Sequence, residues 1–255
     1  MNALEGRIAI VTGAARGIGR AIATRLAADG ASLVIADIQR EAGEAVARDL
    51  NGLFLETDLS HRDACRNLVE RTVEAFGTVH ILVNNAGFQH IDPIDEFPED
   101  VWDKMVAVML TAPFLLTRYS WPFMREQGWG RIINIASVAA LRAHPFKSGY
   151  VSVKHGLLGL TRTAALEGGP HGITVHAVCP TWVQTPLVEN QIADQARTRG
   201  IPAEEVIDKV MVASTAIQRM LAPEEVAAVV RFLCSDEAAG MTGSPVMIDG
   251  GVVAG

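Results

Sequence analysis

Tyr150 and Lys154 stand four residues apart, and Ser137 precedes the tyrosine by thirteen positions. If the Tyr150–Lys154 stretch is helical, the two side chains share one face and the ammonium comes close to the phenol. A nearby positive charge favours the phenolate and lowers the tyrosine pKa from its reference value of about 10. Tyr150 is therefore expected to act as an acid/base near neutral pH, which an isolated tyrosine does poorly. Ser137 is expected to hold a substrate oxygen by hydrogen bonding while the proton moves. A helix that carries Tyr and Lys by chance reads the same in isolation, so the argument rests on the surrounding residues.

The first of these form a dinucleotide cradle. An apolar run ends in Thr12-Gly13-Ala14-Ala15-Arg16-Gly17-Ile18-Gly19-Arg20. Gly13, Gly17 and Gly19 at a strand-to-helix turn let backbone approach a pyrophosphate, and the helix starting at Ile18 supplies amides and a positive dipole end. Asp37 lies 18 residues beyond Gly19 and closes the next strand. A carboxylate there accepts hydrogen bonds from ribose hydroxyls and repels a 2′-phosphate, which selects NAD over NADP. Arg16 is a counter-signal, since a basic residue in this turn can pair with that phosphate. Asp37 outweighs it, because an unscreened carboxylate at the ribose penalises the phosphate directly. Thr57, Asp58 and Leu59 follow the third strand, at the expected adenine edge. Asn84, Asn85, Ala86 and Gly87 follow the fourth, where small residues let a cofactor pass close to the backbone and the Asn side chains brace neighbouring strands.

These groups need a scaffold that gathers strand ends and one helix face. Apolar runs at 7–11, 32–36, 52–56, 80–83, 131–135, 173–178 and 245–248 read as buried strands, and helical patterns fill the gaps, notably 18–29, 100–126, 149–166 and 224–234. Seven strands with intervening helices predict a mostly parallel, doubly wound α/β sheet of the Rossmann type with helices on both faces. No repeat, linker or low-complexity tract divides the chain. One domain over 1–255 is expected, with a cofactor half to about residue 135 and the catalytic and substrate elements after it. The least regular stretch, 180–202, falls at the carboxyl ends of the strands, and a loop that long in a compact domain is usually functional.

Bulk properties narrow the partners. The 255 residues are 49% hydrophobic and 20% charged, enough for one large core. A net charge of -7 argues against nucleic acid or an anionic membrane as partner. No apolar run approaches the roughly 20 residues of a membrane span, and residues 1–7 are expected to lead into a strand rather than to form a signal peptide. Cys65, Cys179 and Cys234 are widely spaced without CxxC, which suits a reduced, cytoplasmic protein with buried thiols. His61, His80, His90, His155, His171 and His176 form neither HExxH nor a cluster with Cys, so no metal is expected.

The glycine turn, Asn84–Gly87, Ser137 and Tyr150/Lys154 occur in an order that resembles the short-chain dehydrogenase/reductase family over essentially the whole chain. The resemblance implies that Tyr150 is the acid/base, that Ser137 orients the carbonyl or alcohol oxygen, and that Lys154 binds the nicotinamide ribose. It also implies nicotinamide contacts from Pro180, Val183 and Thr185. Long helices of this family pair between subunits, implying a homotetramer, although helices 100–126 and 149–166 would serve equally well inside a monomer. One position departs from the pattern. Met109 stands where the family usually has an Asn that holds a water in a proton relay, and a thioether cannot reproduce it.

Within the family, residues 85–93, 145–150, 182–188, 191–192 and 208–211 resemble the bacterial subgroup that acts on D-3-hydroxybutyrate. This implies that Gln89, Lys147 and Gln191 bind the carboxylate of a short 3-hydroxy acid while Trp182 walls the pocket. Lys supplies charge, and glutamine amides add donors without a counter-charge. The match is incomplete: Ala139 replaces a His of that subgroup, His144 stands five positions later, and Thr181 replaces a usual Gly. Three readings therefore remain: an NAD-dependent 3-hydroxy acid dehydrogenase, a dehydrogenase of another secondary alcohol, sugar or polyol, and a catalytically silent NAD-binding sensor or scaffold, the last prompted by Met109.

Overall fold

Seven strands form from the apolar runs: β1 (Ile8–Thr12), β2 (Ser32–Asp37), β3 (Leu53–Glu56), β4 (Ile81–Asn84), β5 (Gly130–Ile135), β6 (Ile173–Pro180) and β7 (Pro245–Ile248). The computed structural model describes residues 3–254; Met1 and Asn2 of the expected N-terminal lead, and Gly255, lie outside the described residues. The strands make one sheet in the order β3-β2-β1-β4-β5-β6-β7, with every neighbouring pair parallel. The order reverses between β1 and β4, so the loops after these two strands diverge and leave a crevice at the carboxyl edge.

Nine α-helices connect them: α1 (Gly17–Ala28), α2 (Arg40–Asp49), α3 (Arg62–Phe76), α4 (Glu99–Val106), α5 (Ala112–Glu126), α6 (Ser148–Gly168), α7 (Pro186–Glu189), α8 (Ile192–Arg199) and α9 (Pro223–Cys234) among the described residues. Alternation along β1 sends Ala9 and Val11 to one face and Ile10 to the other. On the first face Ile22 and Leu26 of α1 meet Val226, Val230 and Leu233 of α9; on the second, Leu68 of α3, Leu116 of α5 and Ala164 of α6 cover Val34, Leu82 and Ile132. Burying each large aliphatic side chain contributes about 1.5–3 kcal/mol, so both helical layers are held mainly by this apolar contact.

The architecture and the seven-strand count agree with the sequence reading, with strand ends displaced by one or two residues. Two segments differ in kind. The helix expected over 100–126 is interrupted by a π-helical turn, Ala107–Thr111, between α4 and α5. Pro113 explains it: it has no N–H to return to the Met109 carbonyl, and the ladder widens so that the Ala112 N–H reaches the Ala107 carbonyl. The stretch 180–202, read as irregular, contains α7 and α8. Both are short, and α8 offers only Ile192 and Ala196 as apolar packing groups, too weak a periodic signal to read from sequence.

Candidate active site

One cavity of about 550 Å³ runs along the carboxyl edge of the sheet and gathers nearly every residue singled out by the sequence. At its glycine turn, Gly13 and Gly17 adopt φ of +63° and +56°, a region that favours glycine. Gly13 passes so close to the β4 loop that a Cβ would lie 2.8 Å from Ala86 Cα. Gly19 does not line the cavity. It is a packing residue, whose Cβ would lie 2.2 Å from the Gly13 carbonyl oxygen. Asn85 clamps the same turn, its side-chain amide donating to the carbonyls of Thr12 at 2.8 Å and Gly13 at 3.1 Å. Thr12 Oγ1 in turn accepts from the Asn85 and Ala86 amides, which locks the ends of β1 and β4 together. The bracing expected of the neighbouring Asn is also present: Asn84 donates to Asn134 on β5, and Asn134 donates to Thr161 on α6.

Asp37, at the end of β2, is buried and accepts from the Ala15 amide at 2.9 Å and the Gln39 amide at 3.0 Å. Each of its oxygens keeps a further lone pair, so it can still receive ribose hydroxyls. Asp58 turns its carboxylate on Ser60, and these hydrogen bonds hold its pKa below the usual carboxylate value. With Arg16, Ile18 and Leu59 also on the lining, the backbone cradle, the α1 N-terminus and Asp37 fit a dinucleotide.

Ser137 leaves β5, while Tyr150 and Lys154 sit one turn apart on α6, and all three face the cavity. The Ser137 hydroxyl accepts from the Ala139 amide at 3.2 Å and donates to the Pro180 carbonyl at 3.5 Å. The Lys154 ammonium donates to the Ile135 carbonyl at 2.7 Å and lies 5.3 Å from the Tyr150 ring centroid. Here the structure corrects the sequence argument. Burial pushes the Tyr150 pKa up to about 12, although a contact with the Ser137 hydroxyl pulls the other way. Burial also brings Lys154 down to about 8. Helical spacing puts the ammonium against the ring, but its proton points at Ile135, and desolvation of the phenolate outweighs the remaining attraction.

Met109 occupies the π-helical turn, buried with Met105 and Val153 against Phe88 and Tyr150. Its sulfur lies where a Cβ on Gly87 would come within 3.0 Å. An apolar group thus backs the phenol at the position where the family resemblance implies an amide.

At the other end of the cavity, Lys147 is 6% exposed, lies 4.3 Å from the Trp182 ring centroid and donates to Gln191 Oε1 at 3.4 Å. Burial, with Arg199 nearby, lowers its pKa to about 7. The preceding residue, Phe146, has φ +66°, a strained left-handed turn that aims Lys147 inward. The Gln191 amide N–H is already donated to the Leu187 carbonyl, and Gln89 Oε1 accepts from the His90 amide. As the side chains stand, Gln191 gives Lys147 an acceptor and one N–H to Leu187, which leaves its second amide N–H for a ligand. Trp182 forms the wall, packed with Ile192 of α8 against Val188, Val206 and Met211. Pro180, Val183 and Thr185 line the cavity between the two ends. Four titratable cavity-lining residues outside the assigned site set are Lys104, Arg142, His144 and Arg199. Of these the sequence drew notice only to His144, and nothing in local spacing distinguishes the others from surface charge.

A doubly wound parallel sheet with a glycine cradle at its switch point, and a Ser–Tyr–Lys group in the same crevice with a buried lysine and half-buried serine and tyrosine, defines a dinucleotide-dependent oxidoreductase. The family model described as enoyl-(acyl carrier protein) reductase matches residues 13–253. Over 252 residues the chain is 44% identical to D-beta-hydroxybutyrate dehydrogenase of Rhizobium meliloti (strain 1021), covering 96% of this chain and 98% of that protein. It is 38% identical over 260 residues to the protein of the same name from Cupriavidus necator (strain H16), covering 98% and 99%. It is likewise 44% identical over 256 residues to the uncharacterized oxidoreductase YxjF of Bacillus subtilis (strain 168), covering 98% and 100%. The chain belongs to the short-chain dehydrogenase/reductase family and is an alcohol dehydrogenase-type enzyme that uses a nicotinamide cofactor on small molecules. Among the described residues, no helix is long and apolar enough to cross a membrane.

Proposed function

We propose that the enzyme interconverts a short 3-hydroxy acid, D-3-hydroxybutyrate foremost, and its 3-oxo acid with NAD. The observation that carries the reading is Lys147: a buried ammonium without a carboxylate partner, in the cavity that Ser137, Tyr150 and Lys154 also line. Such a charge is costly until an anion meets it. The 44% identity to the R. meliloti dehydrogenase supports the same choice.

Lys147 holds the substrate carboxylate, and Trp182 limits the chain beyond it. Ser137 holds the hydroxyl oxygen, and Tyr150 takes its proton; anchoring the acid at a distance from the reacting carbon keeps that geometry. Bound oxidised nicotinamide supplies the hydride acceptor and a positive charge that offsets the burial of the phenolate. Lys154 would hold the nicotinamide ribose, with Pro180, Val183 and Thr185 as the contacts for the amide. Asp37 favours NAD at the adenosine ribose. Three free, buried cysteines suit a reducing cytoplasm. Exposed Phe114 on α5 and Leu166 on α6, 46% and 83% accessible in the single chain, suit the pairing of helices in a homotetramer.

The test is nicotinamide reduction with D-3-hydroxybutyrate, using NAD and NADP in parallel. Turnover with NAD, and at least tenfold less with NADP, is expected. No turnover on the acid together with turnover of neutral secondary alcohols would overturn the substrate. Asp37→Ala should remove the cofactor preference.

A further inference from the structure

Lys147 does not stand alone. Arg142, His144 and Arg199 line the same cavity, and the electrostatics of His144 register Lys147, Arg142 and Arg199 together. The carboxylates on the lining are Asp37 and Asp58, both at the adenosine end of the crevice. None of the four basic groups forms an ion pair among the described residues. The contrast along α8 is direct: Arg197 pairs with Asp92 at 3.0 Å and Asp194 at 3.3 Å, whereas Arg199, two residues on, has only neutral partners. Its guanidinium is held by Gln195 Oε1 and, at 3.4 Å, by Thr198 Oγ1, and lies 5.7 Å from the Phe146 ring centroid. Ala139 contributes only a methyl group to the lining.

Lys147 is buried, His144 and Arg199 are half-buried and Arg142 is exposed; like charges gathered around one cavity repel one another, least where water reaches them. The repulsion lowers the pKa of His144, after the larger effect of its burial. One carboxylate on Lys147 answers one of these charges and leaves the others unmatched. A planar guanidinium beside an open, neutral wall is suited to receive a second oxyanion through paired N–H donors.

We propose that the pocket is built for a 3-hydroxy acid bearing a second anionic group, a hydroxy diacid, with Lys147 holding the first carboxylate and Arg142, His144 and Arg199 receiving the second. This rests on the hydroxy-acid reading of the same cavity and narrows its substrate class. Relative to 3-hydroxybutyrate, one such compound replaces the terminal methyl with a carboxymethyl group, as in 3-hydroxyglutarate.

The experiment titrates glutarate and butyrate, unreactive because they lack the hydroxyl, into the NADH-loaded full-length protein by calorimetry. Glutarate should bind at least about tenfold tighter, the increment expected of one or two added charge-assisted hydrogen bonds. Arg142→Gln and Arg199→Gln should each shrink the glutarate-to-butyrate ratio severalfold, and Lys147→Met should weaken both acids. Equal affinities in the wild type would overturn the proposal, as would Arg variants that weaken both acids alike, since that pattern means general attraction of anions. Tight, selective glutarate binding without oxidation of D-3-hydroxybutyrate would support the diacid pocket while overturning the monoacid substrate.

Discussion

At the residue scale the site turns on Tyr150, Lys154 and Lys147, three groups whose pKa values are displaced from the ordinary ones by desolvation. Tyr150, pushed up to about 12 by burial, is a phenol in the cofactor-free protein, poised to give a proton rather than take one. Tyr150→Phe should lower kcat by roughly 10²–10⁴-fold while leaving NADH affinity within twofold by fluorescence titration, the loss expected of a positioned acid/base. Persistent turnover would remove Tyr150 from the proton transfer. Lys147 sets a separate pH dependence. Its ammonium, with pKa about 7, is charged below that value and neutral above it, while the substrate carboxylate stays ionised throughout. KM for the hydroxy acid should therefore be flat below pH 7 and rise by about tenfold per unit above it, as linkage requires. Arg199 keeps its charge over that range and adds no break. Lys147→Met should give a high KM without the break; a break that survives the substitution would assign it to another group. The residue types at these positions were legible in the sequence, but their proton affinities were not, because spacing reports proximity and says nothing of desolvation.

At the scale of elements, strand-to-helix turns bring the cavity together. The β1–α1 turn is set by glycines with different duties: Gly13 and Gly17 supply unusual backbone angles, and Gly19 supplies only the absence of a side chain. Gly19→Ala would press a methyl against the Gly13 carbonyl, part of the clamp that Asn85 holds. Overpacking of this kind costs about 1–3 kcal/mol. Thermal melting should fall by several degrees, and NADH affinity should fall at least tenfold; an unchanged melt with intact affinity would show that the turn relaxes freely. The interrupted helix illustrates what sequence reading misses. A single amphipathic pattern runs from 100 to 126, yet Pro113 widens the ladder at Ala107–Thr111 and seats Met109 behind the phenol. The proline was visible, but the outcome was not. A proline near a helix start is normally tolerated, and only the packing of the two flanking helices keeps the widened turn inside a continuous rod.

For the whole molecule, a parallel sheet with both faces covered leaves its ligands one place, the carboxyl edge, and the outer helices remain for other chains. Light scattering should return the mass of four chains, and Leu166→Glu, which puts a charge on the exposed face of α6, should lower it. A wild-type monomer would refute the assembly. Hydrophobic periodicity, the glycine turn and the Ser137–Tyr150–Lys154 spacing determined the seven strands, their parallel direction and the groups that meet in the crevice, because local pattern and right-handed crossovers leave few topologies. Arg142, His144, Lys147 and Arg199 come from two separate segments, and their convergence without a counter-charge was decided by tertiary structure alone. Periodicity encodes which face of an element is buried, whereas the sum of charges at a point depends on how distant segments fold over it.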